Sequence, residues 1–164
     1  MMKLKQQLTN TTTSMDANKR NEKLVTWVCF LAYLLLLGYM LFFSAYFGRE
    51  DHAEYRYNLS LFQEIGRYIG LGIRTGSWTL FYVNVVGNVC AFVPLGVFLP
   101  KLFEKCRNIV LVTILSLKVS LAVEVIQLVT RVGSFDVDDL LLNTLGGLIG
   151  FFIYKIFSIG KKHK

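Results

Sequence analysis

The sequence predicts an all-α, polytopic membrane protein with four transmembrane helices and an amphipathic segment in the first external loop. Three observations lead there. Of the 164 residues, 54% are hydrophobic and only 18% are charged. The mean hydropathy of +0.48 exceeds what a soluble domain of this length needs for its core. Four windows, Leu24–Phe47, Leu80–Leu102, Asn108–Val129 and Asp139–Gly160, are long and apolar enough to cross a hydrocarbon core of ~30 Å, which takes roughly 20 residues at 1.5 Å each. The chain left between them is too short for a separate soluble domain of ordinary size.

In chain order, residues 1–23 are polar and rich in Thr, Asn and Lys, without apolar periodicity, so a disordered cytoplasmic tail is expected there. The transmembrane domain covers 24–160, and 161–164 form a basic cytoplasmic end. Leu24–Phe47 is longer than the apolar core of a signal peptide and has no clear small-residue cleavage site, which makes it a retained anchor. The first loop, Gly48–Thr79, contains Leu59–Ile73, with apolar residues at 59, 61, 62, 65, 69 and 73 and Gln63, Glu64, Arg67 and Arg74 interspersed. That pattern suits an amphipathic segment on the membrane surface, placed to act as a lid, although its glycines argue against regular helix throughout. In the second span Pro94 is expected to kink the helix and Gly96 to ease close packing. In the fourth, Gly146 and Gly150 are four apart, beside Gly147, and form a seam for a neighbouring helix.

Charge placement orients the chain. Lys3, Lys5, Lys19, Arg20 and Lys23 precede the first span; Lys101, Lys105 and Arg107 fill the second loop; Lys155, Lys161, Lys162 and Lys164 end the chain. Loops one and three carry Arg49, Arg56, Arg67, Arg74 and Arg131. The positive-inside rule puts the richer side, with both termini, in the cytoplasm, and loops one and three outside. The net charge of +7 is thus spent on topology and gives no reason to expect nucleic acid. Lys118, near the middle of the third span, is expected to snorkel to an interface or find a helix partner.

With that orientation, polar groups on three spans come to one depth. Asn84 and Asn88 share a helix face four residues apart; Glu124, Gln127 and Arg131 form one stripe; Asp139 and Asn143 share a face with Gly146 and Gly150. All lie within roughly 12 Å of the outer boundary at 1.5 Å of rise per residue. Insertion of a carboxylate at the bilayer centre costs about 2.5–3.5 kcal/mol, so such groups are expected to face one another or a water-filled pocket. The expected polar pocket comprises Asn88, Glu124, Gln127, Arg131, Asp136, Asp139 and Asn143. Singly, Asn84 or Gln127 is better explained by helix-to-helix hydrogen bonding, and Asp136 and Asp138 stand where the fourth helix takes an N-terminal cap. An EF-hand loop from Asp136 fails, because Leu141 and Gly147 occupy the positions that need Gly and Glu. Cys29, Cys90 and Cys106 lack scaffold or zinc spacing, and His52 and His163 stand alone. No cofactor and no metal site are expected.

These residues resemble a known family. Asn88, Phe92, Pro94 and Gly96, then Glu124 and Gln127, then Asp136, Asp139, Asn143, Gly146 and Gly147 stand in the order and spacing of the VanZ-like membrane proteins. Asn58, Leu59 and Phe62 are similar to an element of the family's first loop, with Leu61 in place of proline, and Leu95 replaces the commoner phenylalanine. The similarity runs from about Asn58 to Phe152. It implies a bacterial integral membrane protein linked, in the family's namesake, to teicoplanin resistance, with no established catalytic mechanism. Three functions are therefore expected in order: binding or handling a lipid-linked envelope precursor or a lipoglycopeptide among membrane lipids; an intramembrane enzyme with Glu124 and Asp139 as acid and base; or a structural partner of another membrane protein.

Overall fold

The structure, a computed structural model, describes residues 2–42 and 55–160. Helix α1 spans Met2–Phe42, α2 Gln63–Thr75, α3 Thr79–Leu102, α4 Ile109–Thr130 and α5 Val137–Gly160; two short strands, β1 (Arg56–Asn58) and β2 (Ser134–Asp136), lie in the loops. Four stretches are long and apolar enough to cross a membrane: Arg20–Phe42, Thr79–Leu102, Ile109–Thr130 and Val137–Ile159. The first expected span was to end at Phe47, and residues 43–47 lie outside the described residues, as does the basic end 161–164. Helix α1 begins within the polar segment whose composition suggested a disordered tail. No Gly or Pro occurs before Gly38, so nothing in the chain terminates the helix between tail and span.

Helix α5 is the centre of the bundle because its glycines admit the backbone of α3. A Cβ on Gly146 would strike the Val89 carbonyl oxygen, one on Gly150 that of Val93, and one on Gly96 of α3 that of Gly147. Ser116 of α4 fills the remaining space beside Gly147. Helices in contact through backbone gain many dispersion contacts and lose no side-chain entropy, which is how apolar helices associate when lipid is as greasy as they are. Phe92 and Leu95 of α3, Val112 of α4 and Phe151 of α5 complete the core.

Helix α1 packs with Phe30, Leu37 and Leu41, and an aromatic cluster of Trp27, Phe30, Tyr33, Phe98 and Phe103 joins it to α3. Tyr33 Oη donates to the Ala91 carbonyl at 2.8 Å, one residue beyond the carbonyl that Pro94 deprives of its amide donor. Helix α4 opens on Asn108, whose side chain accepts from the Val110 amide at 2.8 Å, and closes on Arg131 in the left-handed region at φ 59°.

Loops one and three are joined. β1 and β2 pair in parallel with Arg56 opposite Ser134, Tyr57 opposite Phe135 and Asn58 opposite Asp136. This two-stranded ribbon was not predicted, because three-residue strands leave no periodicity to read. It ties α2 to the end of the bundle where α3 and α5 begin.

Candidate functional site

The polar residues at this end form a chain of hydrogen bonds from the interior of α4 to the N-terminus of α2. Glu124, 1% exposed, accepts from the Asp136 amide at 2.9 Å. Asp136 Oδ1 accepts from the Asp138 amide at 2.8 Å and from Asn58 Nδ2 at 3.2 Å. The two Asp138 oxygens accept from the Phe62 amide and from the amides of Glu64 and Ile65 at 3.0 and 3.2 Å. Asp138 is itself 1% exposed.

Asp138 therefore caps α2, not the helix that contains it. The sequence position suggested a cap on α5 because aspartate is common just inside a helix start. Instead, Phe62 precedes α2 in the left-handed conformation, φ 64°, without a side-chain cap. The orphan amides of that first turn are satisfied by a carboxylate more than seventy residues away. Its negative charge also lies at the positive end of the helix dipole.

A second set of contacts joins α3, α4 and α5. Asn88 Nδ2 donates to Asp139 Oδ1, and Asn143 Nδ2 donates to Ser120 Oγ at 2.9 Å. Asp139 and Asn143 are one turn apart on α5; Glu124, Ser120 and Ser116 descend α4 at four-residue intervals, each buried. The Asn143 Oδ1, Ser116 Oγ and Gln127 Oε1 atoms are buried and have no hydrogen-bond partner among the described residues. Polar groups so placed usually meet water or a ligand.

The expected stripe on α4 is divided. Gln127, wholly buried, donates through Nε2 to the Leu41 carbonyl of α1 at 2.7 Å, so it bonds helices together on a different seam from Glu124. Arg131 leaves the stripe because α4 ends at Thr130; its exposed guanidinium lies over the Tyr55 ring, 4.6 Å from the centroid. Asn84, one turn before Asn88, lies in the π-helical stretch Tyr82–Val86, and its Nδ2 donates to the Leu80 carbonyl of its own helix at 2.9 Å. Gly96, Gly146, Gly147 and Gly150 lie in the described helix seam, and Pro94 lies inside α3. Lys118 is exposed on α4.

Glu64, Tyr68, Asn58 and Asp138 were missed as site residues. Glu64 is half-buried and paired with Arg67. Burial first of all pushes the Tyr68 phenol above its ordinary value, with Glu64 and Asp139 adding to the rise and Arg67 opposing it. Asp136 is raised too, chiefly by burial and also by Asp138 and Glu64, against the hydrogen bonds from the Asp138 amide and Asn58. Among the described residues no group of three or more His, Cys, Asp or Glu side chains is placed to hold a metal ion.

The sequence profile of the VanZ/LLP1 family matches residues 30–158, which takes in the latter part of the first span, the second and third whole, nearly all of the fourth, and this polar cluster. The chain belongs to the VanZ/LLP1 family. As a member of it with four apolar helices, it is a membrane protein. The chain is also 30% identical over 80 residues to Protein VanZ of Enterococcus faecium; the aligned part is 49% of this chain and 47% of that relative. No solved structure matches the chain.

Proposed function

We propose that this VanZ-family protein binds the polar part of an amphiphilic cell-envelope molecule, a lipid-linked precursor or a lipoglycopeptide, at the end of the bundle formed by Asn88, Glu124, Asp136, Asp139 and Asn143. By the positive-inside rule this end faces outward and both termini are cytoplasmic. The observation that carries the reading is convergence: side chains of α3, α4, α5 and the β ribbon meet where each alone is expensive to keep near lipid. Asp139 is only half-buried. A polar headgroup reaching this edge from the leaflet meets a carboxylate, while its chains remain among lipids. Gln127 belongs to helix packing in this reading, and Arg131 serves as a rim cation for an anionic group. Resistance to teicoplanin, which the family resemblance implies for the namesake, is a consequence proposed for this chain.

The test is mass spectrometry of lipid that copurifies with the protein, together with teicoplanin susceptibility of cells producing Asp139→Asn, Asn88→Ala and Asn143→Ala variants at matched membrane abundance. Loss of the copurifying species and of the phenotype at normal abundance is expected. Unchanged lipid and phenotype in all three refutes the site.

The burial of Glu124 favours one alternative enough to name it, an intramembrane enzyme on a lipid-linked substrate with Glu124 and Asp139 as acid and base. In that case Asp139→Asn and Glu124→Gln retain the copurifying lipid but abolish the phenotype.

A further inference from the structure

We propose that α2 lies in the plane of the membrane with Phe62, Ile69 and Ile73 inserted into the lipid leaflet. The inference does not depend on the ligand site above. A helix of 13 residues is about 20 Å long at 1.5 Å per residue. Its N-terminal amides are held by Asp138, at the start of α5. Its C-terminus closes on Gly76 at φ 73°, and Trp78 packs against Gly72 just before α3 begins at Thr79. Both ends are therefore fixed where membrane spans start, so the helix runs across the end of the bundle.

Around its circumference α2 has three kinds of surface. At 3.6 residues per turn, Glu64, Tyr68, Leu71 and Gly72 share one side, and all are buried or half-buried against the protein. Gln63, Arg67 and Arg74 share another and are exposed, as a face in water requires. The third carries Phe62, Ile65, Ile69 and Ile73, where Phe62 is 58% and Ile73 70% exposed. A helix lying where protein, water and lipid meet shows these three faces, whereas one surrounded by water has no use for the third. Leu80 and Tyr82, at the start of α3 and inside a stretch long and apolar enough to cross the membrane, are exposed as well.

The occupant of that face is the outer part of the acyl region of the leaflet; water, residues 43–54 of this chain or a second protein are the rivals. Protein reconstituted in phosphatidylethanolamine and phosphatidylglycerol vesicles, with Cys29, Cys90 and Cys106 replaced by Ala, is spin-labelled after Gln63→Cys, Arg67→Cys, Ile69→Cys or Ile73→Cys. Collision rates with oxygen, which concentrates in lipid, and with a water-soluble nickel chelate are compared. The oxygen-to-nickel ratio at 69 and 73 is expected to exceed that at 63 and 67 severalfold. Equal ratios, or shielding of 69 and 73 from both reagents, overturn the proposal in favour of water or of a protein cover. In an otherwise unaltered chain, the photoreactive amino acid benzoylphenylalanine at position 73 is expected to yield a phospholipid adduct. An adduct to residues 43–54, to another protein, or to nothing overturns the proposal even where the cysteine-free background does not fold.

Discussion

Replacing Asp138 by alanine removes three hydrogen-bond acceptances at once, from the Phe62, Glu64 and Ile65 amides. Bonds to a charged group contribute about 1.5–3 kcal/mol each, but amides freed when α2 lifts away recover water, so the net loss tends toward the ~0.5–2 kcal/mol of an N-cap plus part of the docking energy. We take about 3 kcal/mol, which at 1.4 kcal/mol per tenfold shifts the docking equilibrium roughly 150-fold. Asp138→Asn keeps an acceptor for Phe62 and turns an amino group toward Glu64 and Ile65, so it is expected to fall between wild type and alanine. The assay is hydrogen exchange by mass spectrometry in lipid nanodiscs, peptide by peptide. Peptides covering 59–75 are expected to lose protection by about two orders of magnitude, while those of α4 and α5 hold theirs. Unchanged exchange in α2 refutes the remote cap. Equal loss throughout the bundle shows that Asp138 supports the global fold instead.

Further outcomes follow from the same contacts. Gly146→Ala and Gly96→Ala drive a methyl group into backbone carbonyls and are expected to lower stability by at least ~1–3 kcal/mol, read as thermal denaturation in detergent. Gly66→Ala, with nothing within 4 Å of the new Cβ, is expected to be neutral or to gain about 0.4–1 kcal/mol. Gln127→Leu loses one bond to Leu41 but removes an unpartnered buried acceptor, so stability is expected to stay within ~1 kcal/mol; a larger fall means that Oε1 has a bound partner. The Asp136 carboxyl is raised in the fold, so its contribution is complete below the ordinary 3.8 and is lost as pH rises through the raised value. Asp136→Asn keeps the Oδ1 acceptor and cannot ionise. Its denaturation temperature, compared with wild type, is therefore expected to rise with pH over that window.

The four spans were legible in the sequence because hydrocarbon demands a run of about twenty apolar residues, a local property that needs no partner to be read. So were the glycines of the α3–α5 seam, whose spacing alone places them on one face, whereas the bonds of Asn88 to Asp139, Glu124 to the Asp136 amide and Asn143 to Ser120 came only with the packed helices. Partner choice was not legible. Three residues decide it: Gln127 turns to α1, Arg131 leaves its helix at a left-handed residue, and Asp138 reaches across to α2. Each depends on how helices are rotated and where one stops, and a π-helical turn such as that at Asn84 is enough to change the rotation. Hydrophobic length is written along the chain, whereas a hydrogen bond between residues 62 and 138 exists only once the helices between them have packed.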